Sequence, residues 1–411
     1  MFLVYNLVWF IATPILWVSA QFSKKMSLFV NGRKNVWEEL KTKLNPKKET
    51  FWFHAASLGE FEQGLPIMEA LKKEQPELQI LVSFFSPSGY EVRKNHSIAD
   101  CVVYLPLDTI YNAKRFLKTA QPKKVFFIKY EFWPNYLNQL KKQHIETYLI
   151  SGIFRKKQLF FKWYGGFYRK ALTAFNHFFV QNESSFLLLK QLNFSNITLA
   201  GDTRFDRVAT ILEQNNTLDF IGIFKNNKKT IVIGSSWAKD EAILIDYINS
   251  CSHDVKFIIA PHNIKTNEIE ELKSRISKKT VLFSEKADKN LAEFDVFIID
   301  TIGLLTKIYA YADIAYVGGG FGNPGVHNIL EPATFGVPIA IGPNYSHFTE
   351  ATALVNLGGC VSISTKNELE LLFNRLINNP KELQVKGSIC AAFVQENKGA
   401  TQTILNFLNQ K

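Results

Sequence analysis

Cysteine is scarce. Four occur in 411 residues, Cys101, Cys251, Cys360 and Cys390. No two have the spacing of metal ligands or of a redox pair. This excludes a disulfide scaffold and the common zinc modules, and the thiols read as reduced and mostly buried in a cytosolic protein. No metal and no organic cofactor is expected. The fingerprint G-x-G-x-x-G is missing from the first strand of either half, which argues against a dinucleotide enzyme. There is no short-period repeat and no low-complexity tract, so a repeat array is excluded. Acidic residues are scarce in the first half. Residues 1–215 hold 29 Lys and Arg against 17 Asp and Glu, whereas the remainder holds 19 against 20. The net charge of +11 therefore arises entirely in the first half.

That asymmetry points to an anionic partner for the first half, either nucleic acid or a membrane surface with its phosphorylated lipids. A basic excess that only aids solubility is the alternative. Charge is also missing from residues 1–20, where only Asn6, Thr13 and Ser19 are clearly polar. Such a stretch just spans a hydrocarbon core as a helix, and Trp9 and Trp17 suit an interface. The first charges after it are Lys24, Lys25, Arg33 and Lys34, which keep the following body on the cytoplasmic side. Val18-Ser19-Ala20 resembles a signal-peptidase site, but no basic segment precedes it. Pro14 also suits a segment that dips into one leaflet. The expectation is an uncleaved anchor over residues 1–22, single-pass or monotopic, with no nucleic-acid partner.

With 46% hydrophobic residues, the rest can bury sizeable cores. Short apolar runs alternate with amphipathic stretches. Strands are expected at 51–54, 80–84, 102–105, 125–128, 147–150, 178–181 and 197–201, and again at 230–234, 256–260, 281–283, 296–299, 314–317, 338–341 and 361–363. Helices are expected between them, for example over 65–73 and 114–120, and throughout 367–408. The polar stretch 213–229 reads as a linker. The expected fold class is α/β, with a first domain over 23–215, a linker over 216–229 and a second domain over 230–411. Two successive βαβ series predict two doubly wound, Rossmann-like domains, with ligands in the cleft between them.

Five segments carry candidate chemistry. Phe53–Glu60 lies where the first strand turns into a helix. Glu60 there suits a general base, although Ser57 and Glu60 also have the spacing of an S-x-x-E capping box. Ser86-Pro87-Ser88-Gly89 starts a helix and suits an anion, or is an ordinary strand-to-helix turn with Pro at the first position. Lys129–Asn135 places Lys129 and Glu131 at the end of an apolar strand, as site residues or as an ion pair beside a core Trp. The basic-aromatic run from Phe154 to Lys170 suits a lipid headgroup layer or single-stranded nucleic acid, or is a buried helix with a basic outer face.

The fifth segment is the most specific: Gly318-Gly319-Gly320-Phe321-Gly322, then Gly325-Val326-His327-Asn328-Ile329-Leu330-Glu331-Pro332. A strand runs into glycines that let the backbone approach a phosphate, and a helix start near Asn328 supplies N–H groups. Glu331 suits ribose hydroxyls, and Asn328 with Glu331 again has capping-box spacing. Ser235, His262 and Gly303 end further strands of the same half.

Together these segments resemble the 3-deoxy-D-manno-octulosonic acid (Kdo) transferases of lipopolysaccharide synthesis. The resemblance runs from about residue 1 to 380 and includes H-A-A-S-x-G-E at 54–60, S-P-S-G at 86–89, E-x-W-P-N at 131–135, Gly201–Asp206, Gly234–Ser236 and Gly318–Pro332. It implies a GT-B fold, a CMP-Kdo donor, a lipid A precursor as acceptor, and inverting, metal-independent transfer at the inner membrane. It implies that Glu60 is the base and Glu131 a second essential carboxylate. Ser57, Gly59, Ser86, Ser88, Gly89 and Lys129 would lie on the acceptor side. Ser235, His262, Gly303, Gly319, Gly320, Asn328 and Glu331 would lie on the CMP side. Two positions depart from the family pattern: Lys129 stands where an acidic residue is usual, and His262 where an Arg is usual. The alternatives are another GT-B enzyme using a UDP-sugar, such as a transferase or an epimerase, or a non-catalytic, membrane-tethered binder of polyanions.

Overall fold

The computed structural model describes residues 2–323 and 325–410; Met1 of the anchor and Pro324 of the glycine block lie outside the described residues. The chain divides into two compact units, residues 1–207 with 398–411, and residues 208–397.

The first unit is built on seven parallel strands: β1 (Thr50–Ala55), β2 (Gln79–Phe84), β3 (Cys101–Tyr104), β4 (Lys124–Ile128), β5 (Glu146–Gly152), β6 (His177–Val180) and β7 (Ile197–Leu199), in the order β3-β2-β1-β4-β5-β6-β7. The second unit repeats the plan with β8 (Lys229–Ser236), β9 (Val255–Pro261), β10 (Thr280–Leu282), β11 (Val296–Ile298), β12 (Ile314–Val317), β13 (Ile339–Ile341) and β14 (Cys360–Ser362), in the order β10-β11-β9-β8-β12-β13-β14. All fourteen expected strands are present. β1, β2 and β3 are buried at every position, because helices cover both faces of each parallel sheet. That burial is why the strands read as continuous apolar runs.

In each sheet the chain reverses its direction of winding once, between β1 and β4 and between β8 and β12. Loops leaving neighbouring strands diverge to opposite faces there and open a crevice at the carboxyl ends. The segments 56–60 and 129–135 follow β1 and β4. The segments 235–237 and 318–328 lie at the ends of β8 and β12. The principal candidates therefore fall at the two switch points.

Two boundaries differ from expectation. The stretch 216–229 is not an open linker: Asp219–Lys225 is a helix of the second unit, with Ile221 and Phe224 fully buried and Phe220 and Phe224 against Phe297. Its polar flanks disguised two turns of apolar contact. The last helix, Ala400–Asn409, belongs with the first unit, where Ile404, Leu405 and Leu408 join the core of Phe53, Phe126 and Ile150. Asp206 fixes it there, accepting from the backbone N–H groups of Gly399 at 2.5 Å and Thr401 at 2.7 Å and from the Thr401 hydroxyl at 2.8 Å.

The N-terminal helix, Phe2–Ser19, is apolar enough and just long enough, by length and composition alone, to cross a membrane. One face of it lies on the first unit. The Tyr5 hydroxyl donates to Asp108 Oδ2 at 2.7 Å, and Asn6 Oδ1 accepts from Asn135 Nδ2 at 3.0 Å. Phe2 and Tyr5 meet Phe167, so the helix and the basic-aromatic run share one surface. Leu3, Val4, Leu7, Phe10, Ile11 and Ile15 remain exposed on the opposite side.

Candidate functional site

In the first unit, the end of β1 turns directly into the helix Leu58–Glu74. Ser57 is its N-cap by backbone conformation, but its side chain makes no capping bond. The Ser57 hydroxyl donates instead to the Glu60 carboxylate. The reciprocal bonds of a capping box are therefore not formed, and Glu60, 6% exposed, is held by a hydroxyl beside the switch point. At Gly59 the nearest atom an added Cβ would meet is Ser57 Oγ, 4.0 Å away, so packing alone does not require glycine there. Burial and the Glu60 carboxylate together push the neighbouring Tyr130 phenol above its usual range.

Glu131 follows β4 and is 8% exposed. Its Oε2 lies 3.3 Å from His54 Nε2 and accepts from the Trp133 indole N–H at 3.0 Å. That indole N–H also lies 2.9 Å from His54 Nε2. The His54 ring is fully buried, and its Nδ1 lies 2.9 Å from Ser83 Oγ and 3.1 Å from Ser83 O. The buried His54 ring and the half-buried Trp133 ring thus orient Glu131. The Lys129 ammonium lies 5.2 Å from the Tyr130 ring centre, and its backbone is left-handed at φ 69°.

Ser86 Oγ and Ser88 Oγ are 2.6 Å apart at the start of the Pro87–Arg93 helix, with no side-chain cap. Gly89 has a packing reason: a Cβ there would come within 2.3 Å of Phe84 and 3.0 Å of the Ser57 carbonyl carbon. The glycine presses the second loop against the first, which brings Ser86 and Ser88 towards Ser57.

In the second unit, the glycine block owes much to internal packing. A Cβ on Gly318 would come 2.4 Å from the Ser235 carbonyl oxygen, and one on Gly320 would come 2.7 Å from the Gly342 backbone. Gly319 is left-handed at φ 94°. These glycines are thus required by close backbone approach within the protein. The helix that follows, Leu330–Thr334, has only five residues and starts two positions later than expected. Its dipole is correspondingly small. Asn328 Nδ2 donates to Glu331 Oε1 at 3.0 Å, and the Thr306 hydroxyl donates to Glu331 Oε2 at 2.8 Å. Glu331 thus joins the glycine block to the helix that follows Gly303, itself left-handed at φ 94° with open space where a Cβ would stand. Ser235 is left-handed as well, at φ 53°, at the irregular end of β8.

Sequence reasoning missed two residues here, Trp237 and Asp240. Asp240, fully buried, accepts from the Trp237 backbone N–H at 3.0 Å, from the Gly319 N–H at 2.8 Å and from the Tyr316 hydroxyl at 2.8 Å. It clamps the ends of β8 and β12 together. Trp237 stacks on His262 with ring centres 4.3 Å apart, and its indole N–H donates to His327 Nε2 at 2.9 Å. A pocket of about 210 Å³ adjoins them, lined by Ser236, Trp237, Glu241, Pro261, Asn263 and Arg275. The spacing of Trp237 and Asp240 was the only local signal.

A family model described as 3-deoxy-D-manno-octulosonic-acid transferase matches residues 33–207. A 3-deoxy-D-manno-octulosonic acid transferase of Aquifex aeolicus is 30% identical over 359 residues, covering 84% of this chain and 91% of that protein. One of Chlamydophila psittaci is 27% identical over 361 residues, covering 85% and 82%. Among solved structures, the UDP-GlcNAc 2-epimerase of Neisseria meningitidis has a TM-score of 0.62 at 14% identity, covering 88% of this chain and all of that one. MurG of Acinetobacter baumannii has a TM-score of 0.56 at 14% identity, covering 89% and 100%. These likenesses establish the two-domain GT-B-like fold.

Proposed function

The chain belongs to the 3-deoxy-D-manno-octulosonic acid transferase family, and from that premise we propose that it moves Kdo from CMP-Kdo to a lipid A precursor at the inner face of the cytoplasmic membrane, with Glu60 as general base. Glu60 removes the proton of the acceptor's sugar hydroxyl. The freed oxygen attacks the anomeric carbon from the side opposite the phosphate, and the bond from that carbon to the phosphate oxygen breaks. CMP leaves with the electron pair, and the configuration inverts. Backbone and side-chain donors at the ends of β8 and β12 would stabilise the charge on the departing phosphate.

The observation that carries this reading is the state of Glu60. It is a buried carboxylate at the carboxyl end of the strand bordering the switch point, bonded by the Ser57 hydroxyl and not engaged in capping its helix. Glu131, oriented by His54 and Trp133, supports the geometry from the next strand. The N-terminal helix and the basic-aromatic run, with Trp163 91% exposed, suit a body lying against anionic lipid.

The test is transfer from CMP-Kdo, generated in situ, to a tetraacylated lipid A precursor, read by mass spectrometry. Replacing Glu60 with Gln is expected to lower turnover by about 100-fold or more, the usual worth of a positioned base, with the unfolding midpoint unchanged. Near-normal turnover would remove Glu60 from the mechanism. Preferential binding of UDP over CMP would remove CMP-Kdo as the donor.

A further inference from the structure

The Trp237, His262 and His327 rings form a two-layer arrangement. The Trp237 and His327 planes lie within 14° of each other and are joined edge to edge by the indole hydrogen bond. His262 covers both, its ring centre 4.3 Å from Trp237 and 4.5 Å from His327. Because an indole N–H only donates, His327 Nε2 must present its lone pair to it. The ring hydrogen of neutral His327 then sits on Nδ1, and a second hydrogen on Nε2 would oppose the indole hydrogen. Burial and the neighbouring His262 also lower His327 to about 4, against the pull of Asp240. The backbone holds the arrangement in place. The His327 N–H donates to the Gly318 carbonyl at 3.0 Å, and Asp240 fixes both the Trp237 and Gly319 amides.

We propose that Trp237 is a positioning residue of the donor site: its indole N–H locks His327 as the Nδ1–H tautomer, so that a neutral imidazole N–H, seated between the glycine run and Asn328, is offered to the phosphate of the nucleotide. This rests on the donor reading above. His262 completes a flat stack over the two rings. The phosphate would be held by directed hydrogen bonds more than by net charge, so donor affinity should respond weakly to salt.

The experiment uses the full chain in detergent micelles with ¹⁵N-labelled histidine. Long-range ¹H–¹⁵N spectra distinguish a protonated from an unprotonated ring nitrogen, and a titration with CMP follows. In the wild type, His327 should show an unprotonated Nε2, and its signals should move on adding CMP. Trp237→Phe keeps a smaller aromatic ring but removes the donor. It should release His327 to the commoner Nε2–H form and raise the KM for CMP-Kdo about fivefold, the worth of one hydrogen bond, with kcat little changed. Trp237→Ala should do the same and also shift His262, while His262→Ala should keep the His327 tautomer. An unchanged tautomer in both Trp237 variants overturns the proposal, and so does a switched tautomer with unchanged KM. If wild-type His327 ignores CMP, the donor reading falls and takes this one with it. If the wild type responds and Trp237→Phe responds identically, only the role of Trp237 is lost.

Discussion

Two candidate residues adopt a backbone conformation that side chains disfavour. Lys129 and Ser235 have φ of 69° and 53° at the ends of β4 and β8, two of the four strands that border the switch points. The left-handed region costs a non-glycine residue roughly 1–2 kcal/mol. Neither position is glycine, which suggests that the side chain is retained for its chemistry. Lys129→Gly should therefore raise stability by about 1 kcal/mol or less, after the larger chain entropy of glycine is subtracted, while lowering transfer. Thermal melting and turnover measured on the same sample check this. A rise in stability with full activity would make Lys129 a bystander. The glycine run teaches the opposite lesson. It reads as a phosphate cradle, and Gly318 and Gly320 also have a packing reason, because Ser235 and Gly342 lie against them.

Among the elements, the N-terminal helix does more than its composition suggests. Its Tyr5 shares Asp108 with the start of the Pro134–Lys142 helix, since Asp108 also accepts from the Asn135 and Tyr136 backbone N–H groups, both at 3.0 Å. The segment holding Glu131 and Trp133 leads directly into that helix. The N-terminal helix is thus tied by one carboxylate to the loop that orients Glu131. Asp108→Ala should cost about 1–3 kcal/mol, the price of leaving buried donors unsatisfied, and should speed hydrogen exchange at Asn135 and Tyr136. Denaturant unfolding and exchange measurements test this; protected amides in the variant would break the link. Burial raises Asp108 to about 6 against the pull of its three donors. A carboxyl whose folded value is raised contributes stability in full below its ordinary range and loses it as pH rises through about 6. That slope should vanish in the variant.

At the scale of the molecule, the last helix returns to the first unit. Ile404, Leu405 and Leu408 complete a core that β1, β4 and β5 leave open, and Asp206 holds the start of the helix. Deleting residues 398–411 should therefore destabilise the first unit, although the cut falls at the end of the second. Burying three such side chains is worth about 1.5–3 kcal/mol each, so the loss should be several kcal/mol. Limited proteolysis that cleaves the truncated protein in residues 50–207 before 208–397 is the expected result; the reverse order would overturn it. Asp206→Ala should show a smaller effect in the same direction.

The sequence by itself determined the elements. Parallel strands buried on both faces must be written as apolar runs, and fourteen such runs at α/β spacing leave one architecture open. It also placed Glu60, Glu131, Asn328 and Glu331 after strands, in the connecting loop or the first turn of the next helix, because motif order survives in the linear chain. Tertiary structure alone decided the partnerships. Ser57 could cap its helix or hold Glu60, and only the folded loop selects the second. Trp237 and His327 are 90 residues apart, and no local pattern announces their hydrogen bond. The polar flanks of 216–229 hid a helix whose two phenylalanines find Phe297. An amphipathic last helix declares that it will bury a face, but its sequence does not say against which sheet. Periodicity reports how a residue faces its own element, while contacts across the fold are set by where the sheets bring distant loops together.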